Sequence, residues 1–307
     1  MISGTKLAKE IGTSRSEVWR IVQHLRKLGV EIAGHPATGY SLKSMPDLLF
    51  PDLLSPLVKG TIFSKNIHHS YKTASTNNAA LEAAALGAPQ GTVFVAEEQT
   101  AGRGRGDHAW HSERSSGIYC SVVLRPKLPP SDVLVLTLAA GLAVQAAVQE
   151  IDSELKPDLK WPNDLLLGHK KFCGILTEMN SEATQVRYVV VGIGINVNQT
   201  AFPAELHSIA TSLRMSTGKA YSRLQLCAAL LKSLDREYRN LVEQPGAHDS
   251  ILRRFAERSS SVKGVRVHVE ENGGFEGITE GLDARGFLQV RTAQGLSRIL
   301  SGMVTPK

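Results

Sequence analysis

The run Gln99-Thr100-Ala101-Gly102-Arg103-Gly104-Arg105-Gly106 is the densest chemistry in the chain. Its glycines let backbone NH groups approach an anion closely, and its two arginines add bidentate donors. Such a loop suits a phosphate, or a carboxylate on its way to an acyl phosphate. It is no P-loop, because no Gly-Lys-Ser/Thr follows. Nor is it a dinucleotide fingerprint, since Arg103 and Arg105 sit badly in a tight strand–helix turn. Without other support it would read as a basic surface loop.

Three further motifs supply that support. Lys160-Trp161-Pro162-Asn163-Asp164 puts charged groups after a stiff bend, where Asp164 can hold a metal ion or orient an amine. Lys170-Lys171-Phe172-Cys173-Gly174-Ile175-Leu176 sets a cation at the mouth of an apolar strand. A strict period of two would put Lys171, Cys173 and Ile175 on one face. Cys173 reads as a buried, inert thiol, because no histidine is fixed beside it. Gly192-Ile193-Gly194-Ile195-Asn196-Val197-Asn198 is an apolar strand whose glycines let a ligand lie against the backbone, with Asn196 able to read an amide, ribose or ring nitrogen. Taken singly, each of these is also compatible with a structural turn, a strand-edge lysine or a β-bulge.

The elements that must position these groups fall into three segments. In the first, Ser14-Arg15-Ser16-Glu17 forms a capping box, and Val18, Ile21, Val22, Leu25 and Leu28 recur at helical spacing up to Gly29. A shorter helix around Thr5 to Glu10 precedes it across Gly12, and two short strands around Gly34 to Gly39 follow. This is a helix-turn-helix with a wing. Arg15, Ser16, Arg20 and Gln23 face outward and are suited to phosphates and base edges in a major groove, although most basic helix faces are simply solvated. Residues 1–45 carry seven Lys/Arg against three Glu, most of the chain's net charge of +6. Residues 44–59, with Pro46, Pro51 and Pro56, read as a linker.

The second segment, residues 60–260, interleaves strands and helices without a regular βαβ rhythm, which predicts a mixed sheet. Its helices are expected over Ser75–Leu86, from a Ser131 cap to Ile151, over Tyr221–Leu241 and over Asp249–Glu257. Strands are expected over Thr92–Ala96, Ile118–Leu124, Phe172–Met179 and Tyr188–Val197. The third segment, residues 262–307, shows short strands parted by Gly273-Gly274, Asp283 to Gly286 and Gln294-Gly295, the pattern of a small β-barrel.

Composition excludes several classes. Of 307 residues, 42% are apolar and 21% charged, ordinary for a globular protein. The three cysteines are widely spaced and include no CxxC pair, which argues against a disulfide scaffold or structural zinc and for a reducing, cytoplasmic setting. The most apolar stretch, Val133 to Val148, is short of the roughly 20 residues of a bilayer span and reads as a buried helix. Met1 to Glu10 has no signal-peptide core.

In this order, Ser75-Thr76-Asn77, Gln99 with Gly102-Arg103-Gly104-Arg105, Lys160 to Asp164, Lys171 with Gly174-Ile175-Leu176, and Gly192 to Asn196 resemble the biotin–protein ligase family, in its bifunctional ligase/repressor form. With the winged helix and the barrel, the resemblance covers nearly the whole chain. It implies an α+β protein: a winged helix-turn-helix over 1–45, a central mixed-sheet catalytic domain over 60–260 and an SH3-like β-barrel over 262–307. It implies formation of biotinyl-5'-AMP from biotin and ATP with Mg²⁺, then transfer to a lysine of a biotin carboxyl carrier protein. It implies biotin contacts from Ser75, Thr76, Asn77, Gln99, Arg103, Gly104, Arg105 and Lys171. It implies adenylate contacts from Arg103, Arg105, Trp110, Asn163 and Asn196, with Lys171, Arg105 and Asp164 catalytic and Asp164 the metal's carboxylate. A homodimer and operator DNA would be its further partners, with no membrane.

Two departures stand out. The family's loop reads G-R-G-R-x-G-R-x-W, whereas here Asp107 replaces a glycine and His108 an arginine, with the spacing to Trp110 kept. The family's winged helix also begins with a helix that should already have ended at Met1 to Gly4, so the first helix is expected to be missing. Competing readings are a lipoate or octanoate ligase on the same catalytic fold, a repressor that senses a ligand without catalysis, and a non-catalytic adenylate-binding module.

Overall fold

The computed structural model describes residues 1–27, 29–36, 38–106, 108–270, 274–300 and 304–306. Leu28, Asp107 and Gly273, each named above, lie outside the described residues. The chain divides into two compact units, residues 1–48 and 49–307.

The first unit is a winged helix-turn-helix. Helices α1 (Gly4–Glu10) and α2 (Arg15–Lys27) are followed by the antiparallel hairpin β1 (Glu31–His35) and β2 (Gly39–Ser44). Ser3 caps α1 by accepting from the Lys6 NH at 3.2 Å, and Ser14 accepts from the Glu17 NH at 3.2 Å. Only half of the expected capping box forms, because the Glu17 carboxylate takes Arg20 at 2.9 Å instead. Ala8, Val18 and Val22 are buried together, with Leu7, Ile32 and Tyr40 packed against them. Ile2 is hydrogen-bonded to Tyr40 in both directions, which ties the start of the chain to the wing.

The second unit opens inside the expected linker. Helix α3 (Pro51–Leu57) forms there because Pro51 stands at its first turn, where a missing NH costs nothing. Leu49, Leu54 and Val58 are fully buried, so this stretch is part of the core. Next come β3 (Ile67–Ser70), α4 (Thr76–Ala85), β4 (Val93–Ala96), β5 (Gly117–Leu124), α5 (Val133–Ile151), β6 (Asp158–Lys160), β7 (Asp164–Leu167), β8 (Lys170–Ser181) and β9 (Val186–Asn196). Asp132, not Ser131, occupies the α5 cap position, because a short 3₁₀ turn over Pro130–Asp132 leads in. Helices α6 (Leu213–Thr217), α7 (Arg223–Glu243) and α8 (Ala247–Glu257) follow. The sheet runs β3-β4-β5-β9-β8-β7-β6, with β3 parallel to β4 and every other pair antiparallel, the mixed sheet the sequence predicts.

Both faces of this sheet are covered. Val122, Val189, Val191 and Ile193 join the main core with α5 and α7, while Val123 and Val190 pack with Ala80 and Ala84 of α4. Burial on two faces explains why β5 is buried throughout and apolar apart from Ser121. α5, with its leading turn, is long and apolar enough to cross a membrane, yet most of it is buried in this core.

The C-terminal strands β10 (Lys263–Val269), β11 (Phe275–Leu282), β12 (Leu288–Thr292), β13 (Gly295–Ile299) and β14 (Val304–Pro306) form an antiparallel sheet of the SH3-like kind, in the order β13-β12-β11-β10-β14. Val267, Val269, Leu288, Val290 and Ile299 belong to the same apolar core as α5. Trp161, at the β6–β7 turn, donates its indole NH to the Gly286 carbonyl at 2.9 Å.

Candidate active site

A cleft opens on the α4 face of the large sheet. Its floor is backbone. Gly174 pairs with Gly194 across β8 and β9, and Leu176 pairs with Gly192. A Cβ on Gly192 would run into the amide oxygen of Asn77, and one on Gly194 would stand 2.5 Å from the Trp110 indole.

Lys171 reaches this floor through a bulge. In the β7–β8 ladder Leu165 pairs with Cys173 but Leu166 pairs with Lys171, so Phe172 is the extra residue and the facing of β8 flips there. Lys171 therefore shares a face with Gly174, while Phe172, Cys173 and Ile175 point into the core. The simple alternation that groups Lys171 with Cys173 and Ile175 does not hold. Cys173 is wholly buried and burial pushes its thiol far up, as expected of an inert group.

One end of the cleft is polar and uncharged. Ser75 precedes α4, and Thr76 and Asn77 form its first turn; all three are buried. The Gln99 amide oxygen accepts from the Thr76 NH at 2.8 Å and contacts its hydroxyl at 3.1 Å, and the Gln99 NH₂ donates to Ser112 at 2.9 Å. Charged groups line the cleft beside these neutral ones. Arg103 donates to Glu178 at 2.6 Å and to the Asn78 side-chain oxygen at 2.6 Å. Arg105 donates to the Asn163 side-chain oxygen at 3.3 Å. Burial lowers the Arg105 pKa and the nearby Asp164 carboxylate opposes that shift, yet a guanidinium stays charged. Lys171 Nζ lies 2.7 Å from Asp164 Oδ1.

The glycine-rich loop is closed on itself. Gly104 NH donates to the His108 carbonyl at 2.7 Å and Trp110 NH to the Gly102 carbonyl at 2.8 Å. The Trp110 indole stands on Gly174 and Gly194, with Lys171 Nζ 5.4 Å from its ring centroid. Its Nε1 is buried and has no partner among the described residues.

A buried charge network holds the loop's flanks. Glu97, just after β4, accepts from Arg223 at 2.7 Å and from the Leu49 NH at 3.0 Å, and pairs with His69 at 3.1 Å. Arg223 also donates to the Gly117 carbonyl at 3.0 Å, and Ser115 donates to Glu97 at 3.3 Å. Burial would raise the Glu97 carboxyl, but His69, Arg223 and the Leu49 NH outweigh it and hold the pKa below its ordinary value. Residues 97 and 115–117, which enter and leave the loop region, are thus pinned to the start of α7.

Of the residues expected from sequence, Ser75, Thr76, Asn77, Gln99, Arg103, Gly104, Arg105, Trp110, Asn163 and Lys171 line this one cleft, and Asp164 stands against Lys171. Asn196 does not line it. Its NH₂ donates to the Thr211 carbonyl at 3.0 Å, which fastens the loop after β9, and Thr211 NH in turn donates to the Lys171 carbonyl at 2.9 Å. Arg15, Ser16, Arg20 and Gln23 share one face of α2 in the other unit, joined there by exposed Trp19. Sequence reasoning misses Ser121, Ser112, Glu178, Tyr119 and the Glu97–Arg223 pair. Only Glu178 carries a signal, as a lone acid just past the Lys171-to-Leu176 motif.

Comparison with known proteins agrees with this geometry. Residues 70–196 match the Biotin/lipoate A/B protein ligase family, residues 1–41 an HTH domain and residues 263–304 the Biotin protein ligase C terminal domain. The chain is 36% identical over 305 residues to the Bifunctional ligase/repressor BirA of Bacillus spizizenii, covering 98% of this chain and 92% of that one. It is 36% identical over 223 residues to the Biotin--[acetyl-CoA-carboxylase] ligase of Mycobacterium tuberculosis, covering 71% and 80%. Among solved structures, the biotin protein ligase from Aquifex aeolicus in complex with biotin and ATP superposes with a TM-score of 0.67 at 31% identity, covering 79% of this chain and 99% of that one.

Two outcomes follow from the site's packing. Glu97→Gln leaves the buried Arg223 charge without its carboxylate, so the second unit should lose about 3–5 kcal/mol at neutral pH in denaturant unfolding. The wild-type carboxyl has a lowered pKa, so its contribution is present above the unfolded value of about 4.3 and is lost as pH falls through the folded value. The variant should therefore show a flatter acid limb. Gly194→Ala should push the indole off the sheet, costing about 1–3 kcal/mol and red-shifting tryptophan emission; unchanged emission and stability would mean that Trp110 does not rest there.

Proposed function

The chain belongs to the biotin/lipoate A/B protein ligase family, and on that premise we propose how its cleft makes biotinyl-5'-AMP and passes biotin to a carrier lysine. The carrying observation is one cleft that gathers a side-chain-free floor, the neutral polar groups of Ser75, Thr76, Asn77 and Gln99, and three cations. Biotin has the matching shape: a flat ureido head, an apolar body and a terminal carboxylate. Ser75, Thr76, Asn77 and Gln99 would take the head, and Arg103, Gly104, Arg105 and Lys171 the carboxylate end. Trp110, Asn163, Arg103 and Arg105 would hold the adenylate. Asn196 would serve the nucleotide indirectly, through the loop it fastens.

In the first step a carboxylate oxygen attacks the α-phosphorus of ATP. A P–O bond forms and pyrophosphate leaves with the electron pair. Both reactants are anions, so catalysis is mainly the supply of fixed positive charge. Arg103, Arg105 and Lys171 are already aimed into the cleft, two of them held by Glu178 and Asp164 until an anion competes. In the second step the neutral carrier amine attacks the acyl carbon, a C–N bond forms, and AMP leaves with the C–O pair as the amine gives up a proton. Asp164 would orient that amine. The closed loop 102–110 would shield the mixed anhydride from water.

Among the described residues no cluster of three His, Cys, Asp or Glu could cage a metal. That fits Mg²⁺, which binds through one or two carboxylates, substrate phosphates and water. Asp164 fits as the carboxylate, since its buried Oδ1 is faced by the Lys171 ammonium without a well-directed hydrogen bond among the described residues. The ion would neutralise triphosphate charge.

A lipoate or octanoate ligase would want an apolar end to its channel, whereas this channel ends in hydroxyls and amides. The winged helix-turn-helix supplies the repressor half of the bifunctional type, with Arg15, Ser16, Arg20 and Gln23 toward operator DNA. Three working parts (1–45, 60–260 and 262–307), a cytoplasmic setting and a homodimer complete the proposal.

The test is pyrophosphate release by the purified chain with ATP and Mg²⁺, offered biotin, lipoate or octanoate. Release with biotin alone, followed by labelling of one carrier-domain lysine, is expected; turnover only with lipoate or octanoate would move the chain to the sister activity. Arg105→Ala should slow adenylate formation or speed its loss. Lys171→Ala should cost roughly 2–4 kcal/mol of transition-state stabilisation in single-turnover kinetics.

A further inference from the structure

Beneath the polar end of the cleft runs an unbroken chain of hydrogen bonds. Arg103 donates to Glu178 Oε1 at 2.6 Å, and Asn77 NH₂ donates to Glu178 Oε2 at 3.0 Å and to the Leu176 carbonyl at 3.2 Å. Ser121 Oγ lies 2.6 Å from Asn77 Oδ1 and 2.8 Å from Thr76 Oγ1. Thr76 leads to Gln99, Gln99 to Ser112, and Ser112 donates to the Trp110 carbonyl at 3.2 Å. The chain thus starts at one end of the glycine-rich loop and returns to the other, and Ser121 is its middle.

Counting protons fixes its direction. Asn77 Nδ2 faces two groups that only accept, so the other amide atom is oxygen and must be given a proton. Gln99 Oε1 faces the Thr76 backbone NH, which only donates, so that atom is oxygen too. Ser121 has one proton, shared between Asn77 Oδ1 and Thr76 Oγ1. The Ser121 hydroxyl faces Thr76 Oγ1 as its donor, so the Thr76 hydroxyl sends its own proton to Gln99 Oε1 at 3.1 Å. Its proton points into the protein and its free lone pair into the cleft.

Ser121 is wholly buried on β5, paired in register with Gly192. It reaches Asn77 only because Gly192 has no Cβ, since the Asn77 amide oxygen fills that space. It is therefore too deep to touch a ligand, yet it sets what its neighbours present.

We propose that Ser121 is a positioning residue for specificity, whose single proton orients Thr76 and Asn77 so that the end of the cleft offers acceptors and selects a head group that brings N–H donors. This rests on the biotin reading above and goes beyond it, by assigning discrimination of the ureido head to a residue outside the cleft. Without the Ser121 hydroxyl, Asn77 Oδ1 loses its buried donor and the Thr76 hydroxyl is held from beneath by Gln99 Oε1 alone.

The experiment is equilibrium binding to the full chain, without ATP, of biotin and of two N-methylated biotins, each lacking one ureido N–H. The wild type should prefer biotin to at least one of them. Ser121→Ala should weaken biotin by about tenfold, as expected for a buried hydrogen-bond partner removed, and shrink that preference. The biotin KM should rise in step, while kcat at saturating biotin and the affinity for ATP stay within about twofold. Should the alanine variant unfold, Ser121→Cys, of similar size with a weaker donor, reads the same ratio. Equal weakening of all three ligands, with the preference intact, would show a packing role and overturn the proposal. No binding of biotin by the wild type would instead overturn the reading beneath it.

Discussion

Where β8 and β9 run side by side, a ligand can lie against the sheet only if nothing projects from it. Gly174, Gly192 and Gly194 meet that constraint on neighbouring, paired positions, and much of the site is arranged around them. The face they bare is the one that carries α4, so the first turn of α4 brings Thr76 and Asn77 to one end. The other face is closed by α5 and α7, which is why the strands are apolar there even where their cleft side is glycine. The bulge at Phe172 then turns Lys171 onto the bare face, a placement that regular alternation could not give together with Gly174.

Charge around this floor is balanced in two different ways. The cleft's cations rest on carboxylates that remain partly exposed, Arg103 on Glu178 and Lys171 on Asp164. Pairs of that kind are weak enough for an anionic substrate to compete with them. The Glu97–Arg223 pair is different, being wholly buried and backed by His69 and the Leu49 NH on Glu97 and by the Gly117 carbonyl, which accepts from Arg223. Removing one partner there would leave an isolated charge, so the pair fixes geometry and does not exchange. A rigid anchor at residues 97 and 115–117 thus flanks a loop whose own charges are free to change partner.

Much of the site is legible in the amino-acid sequence, because the groups that line the cleft come in short runs. Ser75 to Asn77, Gly102 to Arg105, Lys171 to Leu176 and Gly192 to Gly194 each lie on one turn, loop or strand, and residue type alone marks them. What is not legible depends on contacts across long separations or on a single backbone irregularity. Ser121 is one polar residue in an apolar strand, and its meaning appears only when α4 lies over β5. Arg223 begins an ordinary amphipathic helix and meets Glu97 from 126 residues away. The bulge leaves no mark in residue types, so alternation alone puts Lys171 on the wrong face, and Asn196 looks like a ligand group although it holds a loop. The proline-rich stretch ahead of β3 reads as a linker because Pro56 counts against a helix, whereas burial of Leu49 and Leu54 outweighs it.

The central claim is that the bare backbone under Trp110 is where biotin and its adenylate lie. A crystal structure of the chain with biotin and ATP tests it most directly. The account predicts a biotinyl adenylate extended along Gly192, Gly194 and Gly174, its ureido head at Thr76, and the Trp110 indole lifted from the floor. A ligand bound elsewhere, or bound with the indole still seated on Gly194, would contradict it.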